Sequence, residues 1–230
     1  MLNTIAVAGS TAGIPAGFDR RTLLQALGLG MLAAGAFPLI RPALADTAPP
    51  DATATIRQFN DALLSAMKAG GRTSFEQRFQ MLTPAVNQAF DLPAVLSVSV
   101  GPSWASLPPD QQTQLLDAFR RYTVASYVAN FDNYAGQSFA VLPDSRELGA
   151  GRLVVQSTIT PAKGDTVQMD YVMRQTQAGW KVVDVLAAGS ISRVAVQRSD
   201  FRHLLSNGGG PALLASLQRK TADLSGGVLA

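Results

Sequence analysis

The chain of 230 residues carries 19 lysines and arginines against 16 aspartates and glutamates, a formal charge of +3, with one histidine and no cysteine. Without cysteine it cannot be a disulfide scaffold, a thiol enzyme or a thiolate-ligated metal protein. At 47% hydrophobic and 15% charged, it is the reverse of the polar class that stays disordered; its length argues against two large domains, and its basic excess lacks the clustering of a nucleic-acid surface.

Residues 1–45 read as an export signal. Asp19-Arg20-Arg21-Thr22 opens an apolar stretch that runs through Ile40, and Ala43-Leu44-Ala45 supplies an A-x-A cleavage site. The arginine pair fits twin-arginine (Tat) export, with ordinary Sec export as the alternative. A membrane anchor fits less well, because the cleanly apolar part, Ala26 to Ile40, contains Pro38 and is shorter than the ~20 residues of a spanning helix. Cleavage removes Arg20, Arg21 and Arg41 together with Asp19 and leaves a net charge of +1, which erases most of the case for an anionic polymer partner. The expected compartment is the periplasm. Residues 46–52 are expected as a linker, 53–224 as a single domain and 225–230 as a tail.

In the expected domain, Ile56, Phe59, Leu63 and Met67 recur at helical spacing, and Gly70-Gly71 ends that helix. Ser74 and Gln77 form a capping box for a second helix, with Phe75, Phe79 and Leu82 as its stripe. Thr83-Pro84 is expected to re-cap the chain. Asp91 is expected to cap a short helix holding Leu92, Val95, Leu96 and Val100, closed by Gly101-Pro102. Pro108-Pro109-Asp110 opens a long helix to about Asn133. Beyond Gly136 the period changes to two, and Ser138–Leu142, Arg152–Thr160, Thr166–Thr176, Trp180–Ala187 and Ile191–Arg198 read as strands. Short turns at Lys163-Gly164-Asp165 and Gln177-Ala178-Gly179 make three of them an antiparallel meander. Two short helices, Arg198–Asn207 and Pro211–Asp223, flank a Gly208–Gly210 hinge. Segregated helices and strands of this kind mean α+β, with helices packed on one face of an antiparallel sheet.

Reactive chemistry is sparse. His203 is the single imidazole and stands in the polar stretch Asp200-Phe201-Arg202-His203, which suits a surface or capping role; a metal site needs several converging ligands. Gly208–Gly210 lacks the Lys-Ser/Thr ending of a phosphate loop. Asp170 and Asp184 alternate with apolar strand neighbours, so they point away from the apolar face, and Asp132 falls near Tyr134; none forms an evident acid–tyrosine pair of the kind that serves isomerase pockets. Apolar surface, by contrast, is abundant. Val167, Met169, Tyr171 and Met173 share one strand face, and Leu153, Val155 and Ile159 share that of a neighbour, while Gln168, Asp170 and Arg174 mark the opposite face as wet. A space between the two layers would be lined by uncharged side chains, including Met67, Met81, Met169 and Met173, and methionine adapts to irregular apolar ligands. Carriage of a hydrophobic molecule is the function this pattern suggests.

Several segments together resemble one family. They are Phe90-Asp91, Gly101, Trp104, Pro109-Asp110-Gln111-Gln112, Phe119, Tyr127 and Tyr134-Ala135-Gly136-Gln137-Ser138-Phe139. Gly179-Trp180-Lys181-Val182-Val183-Asp184-Val185, Gly189-Ser190-Ile191-Ser192 and Arg198-Ser199-Asp200-Phe201 complete the set. In order and spacing they resemble the MlaC-type, toluene-tolerance family of periplasmic phospholipid-binding proteins across nearly all of residues 55–222. The tail Arg198 to Lys220, with its Asn207-Gly208-Gly209 turn, is most similar to the hopanoid-associated HpnM branch. The resemblance implies a nuclear-transport-factor-like fold, a curved antiparallel sheet with helices enclosing an apolar pocket. It further implies a phospholipid or hopanoid as cargo rather than a cofactor, and two membrane partners, an inner-membrane ABC transporter and an outer-membrane lipoprotein complex.

Stripe positions then nominate Val95, Val98, Trp104, Phe119, Tyr122, Val155, Met169, Tyr171, Val183 and Val185 as the lipid-binding residues, with no catalytic or metal site. Two other classes stay open: a small enzyme of the same fold acting on a hydrophobic substrate, and an interaction module whose interior is filled.

Overall fold

The computed structural model describes residues 50–229; the expected leader, the linker residues before Pro50 and Ala230 lie outside them. Helix α1 (Pro50–Ala69) follows from its apolar stripe, and it buries Ile56, Phe59, Leu63 and Met67 together with Ala52 and Ala66. Residues 50–52, expected in the linker, are helical, and Ala52 is fully buried. A 3-10 turn at Gly70–Arg72 ends the helix, with Gly70 at φ +47°.

Helix α2 (Phe75–Ala89) opens on the expected capping box: the Gln77 amide donates to Ser74 Oγ and the Ser74 amide to the Gln77 side chain. Thr83-Pro84 does not restart the chain, because Pro84 sits inside one continuous helix. Pro84 and Gln80 are both exposed, so water can reach the carbonyl that loses its helical donor. In helix α3 (Leu92–Val100), Asp91 is the N-cap as expected, its Oδ1 accepting from the Ala94 amide at 3.1 Å. Gly101, at φ +76°, closes this helix and leads into a second 3-10 turn. Helix α4 (Pro109–Asn130) follows and stops short of the expected Asn133.

Five strands form one antiparallel sheet in sequence order: β1 (Ser138–Gly149), β2 (Arg152–Thr160), β3 (Val167–Thr176), β4 (Gly179–Ala187) and β5 (Ile191–Ser192). β1 runs seven residues beyond the expected Leu142, its register shifting between Val141 and Ser145 around Pro143, which cannot donate to a ladder. β4 carries a bulge, so Val182 pairs with Met173 and Asp184 with Val172, leaving Val183 as the extra residue. A parallel bridge between Phe90 and Val182, with the Asp91 amide donating to the Val182 carbonyl at 2.9 Å, ties the end of α2 to β4.

The expected fifth strand is mostly helix. Helix α5 (Arg193–Ser225) starts two residues after Ile191 because its first turn is capped twice. Ser192 Oγ accepts from the Ala195 amide, and Asp184 Oδ1 accepts from the Val194 amide while Oδ2 accepts from the Ser192 hydroxyl. Such caps satisfy amides that a strand would have paired elsewhere. α5 breaks at Gly209 (φ 62°, ψ −157°), just before Pro211, so the two expected helices exist and meet at the glycine run. That junction is packed: Gly210 is buried, and a Cβ there would fall 2.2 Å from Gln111 Oε1 of α4.

The hydrophobic core is continuous. Leu153, Val155 and Ile159 of β2, Tyr171 and Met173 of β3, and Val182 and Val185 of β4 form the sheet's inner face, and the α1 stripe lies on it. The other helices complete the same core. The fold is α+β with an open antiparallel sheet, as expected.

Candidate functional site

Among the nominated residues, Val95, Phe119, Val155, Tyr171 and Val185 belong to the buried core, and Trp104, Tyr122 and Met169 are half-buried against it. They fall into separate places. Val155, Tyr171 and Val185 are consecutive cross-strand neighbours on the inner face of the sheet, with Met169 beside them. Phe119 instead meets Phe201 of α5, ring centroids 6.3 Å apart, and the Tyr122 ring lies under Lys220 Nζ at 5.9 Å, so both serve the contact between α4 and α5.

Three expectations are corrected. Val98 is 54% exposed, because α3 turns Val95, Leu96, Ser99 and Val100 inward. Val183 lies outside the core: the bulge advances the alternation by one residue, and Val182, fully buried, takes the inward position. Met81 is 42% exposed, whereas Met67 and Met173 are buried.

An aromatic network fills the interior, and of its members only Tyr171 was nominated. Phe59 of α1 is the hub of an aromatic network, edge-on to Phe90 at 5.2 Å, Tyr127 of α4 at 5.1 Å and Tyr171 at 6.3 Å. Tyr127 stacks on Phe131 at 6.1 Å, and Phe131 approaches Phe139 of β1 at the same separation. Edge-to-face pairs at these distances add about 0.5–1.5 kcal/mol each beyond the area they bury. Burial raises the pKa of both phenols above the ordinary tyrosine value; for Tyr127 the neighbouring Tyr171 adds to the rise and Arg193 opposes it. Both therefore stay protonated and neutral.

Among the buried polar residues of α1 and β2 are Asn60 (3% exposed) and Ser157 (1%). Asn60 Nδ2 donates to Ser157 Oγ at 3.4 Å, and Asn60 Oδ1 is buried without a partner. Their positions carried a sequence signal: Asn60 is four residues after Ile56 and three before Leu63, and Ser157 stands between Val155 and Ile159 on the same strand face. A polar residue interrupting an apolar stripe is worth more notice than the stripe itself.

The acids are occupied elsewhere. Asp91 caps α3 and pairs with Arg174. Asp184 holds the start of α5. Asp170 is 4% exposed rather than wet, accepting from Gln168 Nε2 at 3.0 and 3.1 Å. It belongs to the outer face of β3, whereas the adjacent Tyr171 belongs to the inner face, so the two do not form an acid–phenol pair. His203 is exposed beside Asn207. Among the described residues, no three His, Asp or Glu side chains converge as a metal site would require, and no helix is long and apolar enough to cross a membrane.

One cleft of about 470 Å³ opens at the C-terminal end of α1, between Met67–Arg72 and Asn133-Tyr134. Met67 belongs to the core, and Lys68 Nζ stands 5.3 Å from the centroid of the Tyr134 ring. The interior can bury apolar matter around a few neutral hydrogen-bonding groups.

Comparison with known proteins agrees with this geometry. The family described as MlaC protein matches residues 57–219. A solved phospholipid-binding protein from Ralstonia solanacearum, in complex with a phospholipid, superposes with a TM-score of 0.67 at 25% identity, over 76% of this chain and 99% of that one. No curated protein matches the sequence.

Proposed function

Because the chain belongs to the MlaC protein family, we propose that it is a periplasmic lipid carrier that buries the acyl chains of a phospholipid between α1 and the inner face of the sheet. The observation that carries this reading is the character of that interface. Strands β2 to β4 and helix α1 meet through aliphatic and aromatic side chains, and Asn60 and Ser157, buried among them, are neutral. Each methylene moved from water into such a layer stabilises the complex by about 0.8 kcal/mol, so acyl chains bind there without a charged anchor. The phospholipid held by the Ralstonia protein supports the same cargo class.

The finer parts of the proposal follow the resemblance. The lipid is cargo, not a cofactor; the leader at residues 1–45 directs export, by the twin-arginine route if Arg20-Arg21 is read as such. An inner-membrane ABC transporter and an outer-membrane lipoprotein complex are the exchange partners. The similarity of the tail to the HpnM branch makes a hopanoid the competing cargo.

Organic extraction of the purified protein followed by mass spectrometry tests the reading. Stoichiometric phospholipid is the expected result, and a hopanoid in its place would change the cargo. An empty protein that acquires no lipid from phosphatidylglycerol or phosphatidylethanolamine vesicles would overturn the carrier.

A further inference from the structure

Asn60 is out of place unless something else binds it. It faces inward from α1 next to Phe59, the centre of the aromatic network, where an apolar residue of similar size would meet no polar requirement. Its one hydrogen bond, to Ser157 Oγ, is long at 3.4 Å, and its Oδ1 has no partner. A buried carboxamide left short of a partner is destabilising, whereas an apolar replacement of the same shape can be neutral.

The amide has two settings, because its oxygen and nitrogen are told apart by their neighbours rather than by shape. In one, Nδ2 donates to Ser157 and Oδ1 is orphaned. In the other, the Ser157 hydroxyl donates to Oδ1 and the two N–H groups of Nδ2 need an acceptor. The second setting makes the pair a donor aimed at a group that accepts and cannot donate. An ester carbonyl is such a group, and in a diacyl lipid it is the first strong acceptor met beyond the acyl chains. A hydrocarbon polycycle offers nothing comparable.

We propose that Asn60, oriented by Ser157, is a polar subsite for an acyl-ester carbonyl of the bound lipid, and so selects diacyl lipids over ether-linked or purely hydrocarbon ones. This inference rests on the lipid-carrier reading above. Asn60 is the contacting residue and Ser157 the positioning residue.

The test compares uptake from vesicles of two phosphatidylglycerols with the same headgroup and chain length, one diester and one diether. The unaltered protein is expected to favour the diester by about tenfold, the size of one additional well-made hydrogen bond in a desolvated site. Asn60→Leu is expected to level the two lipids to within about twofold while leaving the thermal midpoint of the lipid-free protein unchanged or higher. Ser157→Ala, a milder change, is expected to reduce the preference partway and serves if Asn60→Leu fails to fold. Equal uptake of both lipids by the unaltered protein would overturn the subsite while leaving the carrier standing. A preference that survives in a folded Asn60→Leu, or in Ser157→Ala if only that variant folds, would do the same. Uptake of neither lipid would overturn carrier and subsite together.

Discussion

Where α5 lies along α4, Phe119 meets Phe201 and the buried polar groups are satisfied within the chain. The Thr221 hydroxyl donates to the Leu217 carbonyl at 2.8 Å, the Ser225 hydroxyl donates to Ala222 and accepts from the Leu229 amide, and Arg121 donates to the Leu229 carbonyl. Where α1 lies on the sheet, the aromatic content is higher, yet Asn60 keeps a buried unpaired oxygen. One interface is complete without help. The other has a hydrogen-bonding group to spare, which is the difference expected between a scaffold and the surface proposed to take up lipid.

The largest effects should come from cutting the central ring of each interface. Phe201→Ala and Phe59→Ala remove side chains that are 2% and 1% exposed, and each should lower unfolding stability by about 3–5 kcal/mol. Adding phospholipid then separates them. Phe201→Ala should retain the ligand-induced rise in thermal midpoint expected of the unaltered protein, and Phe59→Ala should lose most of it. Equal ligand shifts in both variants would dissolve the distinction.

A smaller effect tests whether the scaffold is continuous through the break in α5. At Gly209 the backbone occupies a region that only glycine enters readily. Gly209→Ala should destabilise by about 1–3 kcal/mol in denaturant unfolding and leave lipid uptake intact, because the neighbouring Gly210 packs against Gln111 of α4. Loss of uptake in a folded variant would tie the break to cargo binding.

Much of this architecture was legible because local chemistry and tertiary demand agree. Ser74 with Gln77, Asp91, the α1 stripe and the meander of β2 to β4 each carry their own signal in a few adjacent residues. The misreadings arise where a distant residue decides. Asp184 reaches eight and ten residues forward to convert Val194 onward from strand to helix. The β4 bulge exchanges Val183 for Val182, an outcome that alternation alone cannot register, since one extra residue flips every side chain beyond it. The candidate site was legible in character but not in membership. Apolar stripes identify which faces are inward, yet α4 divides its inward face between Tyr127, turned to Phe59, and Phe119, turned to Phe201. Which partner each residue meets depends on how the helices cross.

The smallest effect concerns the two phenols of the α1–sheet layer and appears only at high pH. Folded, Tyr127 and Tyr171 keep their protons above the ordinary tyrosine value of 10.0, chiefly because burial disfavours the phenolate. Unfolded, they release them near that value. Through the interval above about pH 10 the native state binds more protons than the unfolded state, so stability falls as pH rises. The contribution is fully present below the unfolded value and is lost toward the folded one. Each phenol should steepen the alkaline limb by about 1.4 kcal/mol per pH unit while it lasts. Tyr127→Phe with Tyr171→Phe has no proton to lose there and should flatten that limb. At neutral pH the double change should move stability by only about 1 kcal/mol. Urea unfolding at a series of pH values measures both. If the limb keeps its slope in the double variant, the phenols are reached by water in the lipid-free protein, and the α1–sheet interface is already open before cargo arrives.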